Sequence, residues 1–174
     1  EGESVVISFH PHPRLVLFPE DNPLRLLQDI DEKVAALEAL GIDKVLLIPF
    51  TREFSRLTSD QFINEVLVKT VGTHRIVIGY DHHFGKNRTG GLRELQEGSA
   101  EYGFQVEEIP AEQIDNANVS STKIRQALAE GNVAAARRFL GYDYMVSGKV
   151  IRGEQLGRQL GFPTANIMPH DPLK

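Results

Sequence analysis

Apolar and polar residues alternate in blocks that predict strands and helices in turn. Short, largely β-branched runs of apolar residues predict buried strands at VVISF (5–9), KVLLIPF (44–50), HRIVIGY (74–80) and FQVEEIP (104–110). Apolar residues at helical spacing predict helices over 29–40, from Thr58 or Ser59 onwards, and over 91–103, 120–131 and 133–141. Strands separated by helices are typical of a parallel sheet covered on both faces, so we predict a doubly wound α/β domain.

For two of these helices the sequence indicates most clearly where the helix begins or ends. The helix over 29–40 has acidic residues in its first turn and stops at Gly41. In the next helix Thr58 or Ser59 can act as the N-cap. The residues expected on its buried face are Phe62, Ile63, Val66 and Leu67.

The pattern changes after Gly141. The stretch YDYMVSGKVIRGEQ alternates apolar and polar residues and contains glycines, which is typical of hairpin or barrel strands, and we expect no helix beyond this point. We therefore predict a domain boundary near residues 141–144, with a first domain over 1–141 and a second over 142–174.

Composition and charge limit the kinds of molecule that we expect the protein to bind. A formal net charge of −5 argues against a general nucleic-acid surface or a surface for anionic membranes, so any phosphate must be bound locally. The apolar runs have strand length, well short of the roughly 20 residues of a membrane span, and no signal peptide is evident. Cysteine is absent, which excludes disulfides and is compatible with the cytoplasm. We expect small-molecule ligands and a cytoplasmic protein.

Ligands of open α/β sheets bind beyond the carboxyl ends of the strands, and three polar segments lie near such ends. The first is FHPHPR (9–14), in which alternating prolines stiffen an extended turn. Its histidines, His10 and His12, either form a rigid lip against a planar ligand or simply face water where the strand ends.

The second segment is GYDHHFGKNRTGG (79–91). Its glycines allow close approach of the backbone to a ligand, Asp81 can accept hydrogen bonds from a ribose or a metal-bound water, and Lys86 and Arg88 offer charge to phosphate. The spacing is not that of a Walker A loop. The alternative is a solvated turn into the next helix.

The third segment is NVSSTKIRQAL (118–128). Ser120 or Ser121 is expected to cap a helix whose first turns also contain Lys123 and Arg125. Cations are disfavoured at a helix N-terminus unless an anion is present, so the pattern favours a polyphosphate site over a plain capped helix.

A histidine metal site is a further alternative. His10, His12, His82 and His83 follow two predicted strands and could supply nitrogen ligands to zinc or iron. No pattern of acidic residues supports this site.

These segments together resemble a known family. The stretches FHPHPR, IGYDHHFGKNRTG, VSSTKIRQAL, FLGYDYMVSGKVIRG (139–153) and GRQLGFPTANI (157–167) are similar to those of the bacterial bifunctional riboflavin kinase/FMN adenylyltransferases, also called FAD synthetases. The last two stretches in tandem are highly specific, whereas SSTKIR alone indicates only the wider nucleotidyltransferase superfamily.

The resemblance implies that residues 1–141 form a Rossmann-like FMN adenylyltransferase domain, in which the FMN phosphate attacks the α-phosphorus of ATP to give FAD and pyrophosphate. No protein nucleophile is required, and no catalytic residue is assigned. The implied ATP and pyrophosphate ligands are Asp81, which also lies towards the magnesium, Ser120, Ser121, Thr122 and Arg125. The implied flavin contacts are Pro11, His12 and Pro13.

The resemblance also implies that residues 142–174 contain the first strands of a riboflavin kinase β-barrel, which makes FMN from riboflavin and ATP. Thr164 and Asn166 are the implied ligands of Mg²⁺ and of an ATP phosphate. The residues implied to shape the ATP loop are Gly157, Gly161 and Pro163.

The chain departs from the family pattern in two ways. His82 stands where the family usually has Phe, and the motif G-x-F-D-G-x-H-x-G-H, expected before VVISF, is missing from the sequence. Most of the barrel and its catalytic glutamate are expected beyond Lys174. We therefore expect an internal fragment that is inactive alone, the alternative being a non-catalytic nucleotide- or flavin-binding module. The oligomeric state is not predicted.

Overall fold

The structure is a computed structural model that describes residues 2–20, 24–111, 113, 114 and 117–174. The strands are β1 Val5–His10, β2 Lys44–Pro49, β3 Arg75–Gly79, β4 Gln105–Ile109, β5 Gln113–Ile114, β6 Ala117–Asn118, β7 Gly148–Ile151 and β8 Asn166–Pro169. The helices are α1 Pro13–Leu17, α2 Ile30–Ala39, α3 Ser59–Gln61 with its π-helical continuation Phe62–Thr70, α4 Leu92–Tyr102, α5 Ser121–Ala129, α6 Val133–Leu140 and α7 Leu156–Gln159.

The chain divides into two compact units, and neither is continuous in sequence. Unit 1 comprises Glu1–His10, Glu20–Ile48 and Ser120–Lys174, whereas unit 2 comprises Pro11–Pro19 and Pro49–Val119. Residues on both sides of Gly141 belong to unit 1, so the predicted domain boundary near this residue stays a prediction.

The predicted order of strands and helices is present up to Gly141, and the architecture is mixed α/β. In unit 2, β3 and β4 are parallel, and Arg75 pairs with Gln105. In the described part of the chain the strands form four two-stranded sheets, β1-β2, β3-β4, β5-β6 and β7-β8, of which the last two are antiparallel. The single doubly wound sheet therefore stays a prediction.

Two local predictions are wrong. The stiff extended turn expected after β1 continues only to His12, because Pro13 begins the short helix α1. Proline is well suited to the first position of a helix, where its fixed φ is helical and no N–H is needed. A second short helix, α7, lies beyond Gly141, where no helix was expected, and its four residues are too few to produce a helical pattern in the sequence.

The core of unit 2 forms around the helix that begins at Ser59. Thr58 is its N-cap, and the Thr58 and Gln61 side chains form a reciprocal capping box. The four residues expected on its apolar face are all buried. Gly98 of α4 packs against this face, because a Cβ there would lie 3.3 Å from Cγ2 of Ile63. The absence of a side chain at position 98 therefore allows close packing.

The loop over residues 80–91 is held against the start of the same helix. Phe84 and Gly90 pair as an antiparallel bridge, and the Phe84 ring lies 5.3 Å from the Phe62 ring. The N–H of Lys86 donates to the Leu57 carbonyl at 2.7 Å. Gly85 has a φ of +72°, and a Cβ there would lie 2.8 Å from the Ser59 nitrogen, so only glycine fits without a shift of the backbone.

Unit 1 contains a buried ion pair at the N-terminus of α2. Asp29 caps this helix, and its carboxylate and that of Glu32 each accept the other residue's N–H, at 2.8 and 3.1 Å. The Glu32 carboxylate also pairs with the Lys174 ammonium and accepts from the Ser147 hydroxyl and, at 3.1 Å, from the Ser147 N–H. The Lys174 and Glu32 side chains are only 1% and 13% exposed.

This environment changes the acidity of Glu32. Burial alone raises the pKa of a carboxyl, but hydrogen bonds from Lys174, Ser147 and the Asp29 N–H outweigh it and lower the Glu32 pKa from 4.5 to about 2. Because the pKa in the folded state is the lower one, the ionised pair stabilises the fold above the unfolded-state pKa, and this stabilisation is lost as the pH falls towards 2.

We predict that Gly85→Ala destabilises the protein more than Gly72→Ala does. Gly72 has nearly the same left-handed φ, +68°, but open space around its Cβ direction. Gly72→Ala should therefore show only the cost of the strained φ, about 1 kcal/mol, whereas Gly85→Ala should add about 1–3 kcal/mol from the clash with Ser59. Urea unfolding of both variants measures the difference, and equal losses would contradict the close contact.

We also predict a pH-dependent effect of Glu32→Gln on the free energy of unfolding. At about pH 7 the variant should be about 3 kcal/mol less stable than the unsubstituted protein, and the gap should shrink to below about 1 kcal/mol near pH 2.5, as the carboxylate becomes protonated. Urea unfolding of both proteins across this range measures the gap. A gap that stays constant would show that Glu32 is not held ionised by Lys174.

Candidate functional site

The start of α5 presents the groups expected of an anion site. Ser120 is the N-cap, and its hydroxyl accepts from the Lys123 N–H at 3.3 Å. Ser121 and Thr122 follow in the exposed first turn, where the backbone N–H groups point out of the helix. Ile124 and Ala127 are buried, which fixes the helix on its opposite face. The helix start predicted from the sequence is therefore confirmed, while its ligand stays a prediction.

Arg125 is partly buried one turn further along the helix. Its Nε donates to the Arg25 carbonyl at 2.5 Å, and the Arg25 guanidinium in turn donates to the Pro172 carbonyl at 3.2 Å. The backbone of the segment before α2 thus holds the side chain of the residue predicted to bind pyrophosphate. The sequence did not point to Arg25, because a single arginine in PLRLL carries no motif.

A second candidate site lies in the hairpin of β7 and β8 and the loop between them. Glycines face both side chains predicted to bind magnesium. A Cβ on Gly157 would lie 3.0 Å from the Thr164 hydroxyl, and one on Gly153 would clash with the Asn166 amide. The Thr164 and Asn166 side chains are thereby packed closely against the backbone of the loop. Hydroxyl and amide oxygens suit Mg²⁺, and Mg²⁺ also binds oxygens of substrate phosphates.

The cavity beside these residues measures about 170 Å³. This is smaller than the roughly 300–1,000 Å³ of a typical small-molecule site, so it has room for a phosphate group rather than for a whole nucleotide. Arg152 and Arg158 contribute cationic side chains to its wall, together with Pro163 and Asn166. The sequence did not single out either arginine, although Arg158 lies within the GRQLG stretch. Gly161 has a φ of +81°, which glycine adopts readily.

In unit 2, the residues after β3 form a tight turn. The His82 N–H donates to the Gly79 carbonyl at 3.0 Å, and Asp81 is exposed between them. Partial desolvation lowers the pKa of His82, the Asp81 carboxylate opposes this shift, and the charges of His83 and Arg88 reinforce it. A neutral imidazole is therefore favoured at neutral pH where the family usually has a phenyl ring.

The residues predicted to line the flavin also lie in unit 2. Pro11 is exposed, and His12 and Pro13 are half-buried at the start of α1. The His12 Nδ1 accepts from the Arg14 N–H at 3.2 Å and so caps the short helix. The structure thus gives His12 a local capping role, and its contact with a flavin stays a prediction.

The histidine metal site has no structural support. His10 belongs to unit 1, whereas His12, His82 and His83 belong to unit 2. Among the residues that the structure describes, no group of three or more His, Cys, Asp or Glu side chains is arranged to hold a metal ion.

The predicted site residues are distributed over both units. Unit 2 contains the flavin-lining residues and the implied nucleotide ligand of the loop after β3, which are Pro11, His12, Pro13 and Asp81. Unit 1 contains the residues of both predicted phosphate sites, which are Ser120, Ser121, Thr122, Arg125, Gly157, Gly161, Pro163, Thr164 and Asn166.

Two protein-family models match the chain. The FAD synthetase model matches residues 1–123, and the riboflavin kinase model matches residues 140–173. The first match covers the α5 start and the loop after β3, and the second covers the glycine-lined hairpin.

Curated relatives agree with these matches. The chain is 39% identical over 163 residues to the bifunctional riboflavin kinase/FMN adenylyltransferase of Escherichia coli K12, covering 94% of the chain and 52% of the relative. It is 37% identical over 164 residues to the Pseudomonas fluorescens protein of the same name, with the same coverage. The Listeria monocytogenes protein is 34% identical over 165 residues, covering 95% of the chain and 52% of the relative. The chain thus spans about half the length of these relatives.

A solved structure is also similar. A crystal structure of a protein named macrolide-efflux protein from Streptococcus pneumoniae has a TM-score of 0.85 and 29% sequence identity, covering 97% of this chain and 54% of that one. Within the described residues, no helix has both the length and the apolar character needed to cross a membrane.

The matches over 1–123 and 140–173, and the identity to curated relatives, show that the chain belongs to the family of bifunctional riboflavin kinase/FMN adenylyltransferases, the FAD synthetases.

Proposed function

We propose that the protein makes FAD from riboflavin in two steps, each with ATP. The first step phosphorylates riboflavin to FMN, and the second transfers the adenylyl group of ATP to FMN. The observation that supports the proposal is that unit 1 contains two separate segments suited to a phosphate, the capped start of α5 and the glycine-lined loop between β7 and β8.

For adenylyl transfer, we propose that the start of α5 binds the β- and γ-phosphates of ATP. An FMN phosphate oxygen attacks the α-phosphorus, a new P–O–P bond forms, and the bond to the leaving pyrophosphate breaks. Free N–H groups, the Ser120, Ser121 and Thr122 hydroxyls, and the Arg125 guanidinium would neutralise the charge that develops on pyrophosphate. Asp81 would lie on the nucleotide and magnesium side, and Pro11, His12 and Pro13 on the flavin side.

For the kinase step, we propose that a riboflavin hydroxyl attacks the γ-phosphorus of ATP and that ADP leaves. Thr164 and Asn166 would hold Mg²⁺ together with an ATP phosphate, while Gly157, Gly161 and Pro163 shape the loop. When bound, Mg²⁺ neutralises phosphate charge and orients the transferred group. Arg152 and Arg158 would add positive charge at the same place.

The two proposed reactions also imply two domains. We propose that residues 1–141 form a nucleotidyltransferase domain with a doubly wound sheet and that residues 142–174 begin a β-barrel. The barrel is supported by the antiparallel hairpin of β7 and β8 and by apolar side chains on both strands, of which Val150 is 66% exposed and Ile167 is 52% exposed. Further strands would cover such residues. A cytoplasmic location stays a prediction.

The direct test is an assay of the full product of the gene that encodes this chain. Riboflavin, ATP and Mg²⁺ are supplied, and FMN and FAD are followed by chromatography. The proposal expects FMN to rise first and FAD to follow. If neither product forms, the proposed function is wrong, and if nucleotide or flavin binds without turnover, the non-catalytic alternative is favoured.

Two substitutions should separate the two reactions. Arg125→Ala should lower FAD formation from supplied FMN about 100-fold, because a cation at the leaving pyrophosphate is lost, and should leave FMN formation from riboflavin within about threefold. Asn166→Ala should have the reverse effect. Arg93→Ala is the matched control, since its side chain is 80% exposed in a surface ion pair. Equal losses of both products in either variant would contradict the assignment of the two sites.

A further inference from the structure

A polar network in unit 1 connects the residue predicted to bind pyrophosphate to the last residues of the chain. We define this Glu32 network as Glu32, Lys174, Ser147, Arg25 and Arg125. The proposed reactions use only Arg125 from this set, so the other four residues need a separate explanation.

The first part of the network is a buried pair of charges. The Lys174 ammonium meets the Glu32 carboxylate while lying 5.3 Å from the centre of the Tyr144 ring, and only 1% of the lysine side chain is exposed. The Ser147 N–H and hydroxyl donate to the other carboxylate oxygen. A buried charge without a partner is strongly destabilising, so the pair fixes residues 144–147 and 174 relative to the N-terminus of α2.

The second part is a backbone connection. The Leu26 N–H donates to the Leu173 carbonyl at 2.8 Å, and the Arg25 guanidinium donates to the Pro172 carbonyl at 3.2 Å. The residues next to Lys174 therefore hold the segment that precedes α2. This segment lies in the same unit as α5.

The third part reaches the predicted phosphate site. The Arg25 carbonyl accepts from Nε of Arg125 at 2.5 Å. A hydrogen bond through Nε restricts rotation of the side chain and so fixes the plane of the guanidinium. A planar, fixed guanidinium is suited to bidentate phosphate binding.

We propose that Glu32 is a positioning residue for adenylyl transfer. Through its ion pair with Lys174 it holds residues 172–174, these hold residues 25 and 26, and the Arg25 carbonyl fixes the Arg125 guanidinium. The proposal rests on the proposed function, because it assumes that Arg125 binds ATP phosphate. It also makes Ser147 and residues 172–174 part of the support for the adenylyl site, so loss of their contacts weakens ATP binding at α5.

A purely structural role for Glu32 predicts a different outcome. Loss of the ion pair would then lower stability without changing the interaction of folded protein with ATP. The two roles are separated by the KM for ATP in FAD formation, measured well below the unfolding temperature, and by whether that KM stays raised when both buried charges are removed.

The experiment compares Glu32→Gln, Lys174→Met and the double variant in the full gene product. Glu32→Gln leaves Lys174 buried without its counter-charge, so the KM for ATP in FAD formation should rise about tenfold, while the KM for FMN stays within about twofold. The double variant has no unpaired buried charge but still lacks the ion pair, so its stability should partly recover while the KM for ATP stays raised at least about fivefold.

The matched control is the exposed pair of Glu65 and Lys69, whose side chains are 55% and 58% exposed. Glu65→Gln, Lys69→Met and their combination remove the same charges and should leave every KM unchanged. An unchanged KM for ATP in folded Glu32→Gln, or a double variant that returns to the original KM, would overturn the proposal.

A second measurement does not depend on turnover. Hydrogen exchange at the Leu26 amide should speed up at least about tenfold in Lys174→Met, which keeps Glu32 bonded to Ser147 and is the milder variant. If Leu26 exchanges as slowly as before, the connection from Lys174 to residues 25 and 26 is wrong. If the unsubstituted protein makes no FAD, the proposed function fails, and the exchange rate still decides the positioning link.

Discussion

The arrangement of unit 1 depends on a buried ion pair between residues far apart in the chain. Glu32 and Lys174 are separated by 142 positions, and their pairing joins the N-terminus of α2 to the segment beyond β8. Among the described residues of this unit, the buried apolar side chains are Leu24, Ile124, Ala127 and Ala136. A buried charge that loses its partner is strongly destabilising. The pairing of Glu32 with Lys174 therefore constrains how these segments are arranged.

Local rules account for what could be predicted from the sequence. The N-caps of the helices at residues 58 and 120 were predicted at or within one residue of their places, because capping depends on side chains three residues apart. The apolar face of the helix that begins at Ser59 was predicted residue by residue, because a 3.6-residue period identifies one buried face.

Contacts between distant segments could not be predicted in this way. The bond from Arg125 to the Arg25 carbonyl spans 100 positions, and neither residue's neighbours indicate it. The burial of Lys174 was not predicted, because nothing in DPLK indicates it. The prediction that Pro13 extends the turn after β1 is wrong, because proline can equally begin a helix, as it does in α1. The family resemblance supplied roles for single residues, but not the contacts that hold those residues in place.

The proposed function requires two separate nucleotide sites, at α5 and at the loop between β7 and β8. The most direct measurement is the number of ATP molecules bound per protein molecule, determined by calorimetry with the full gene product in the presence of Mg²⁺ and without flavin. With both sites present, two ATP molecules should bind per protein molecule, with different affinities. A single ATP per protein would contradict the proposed function.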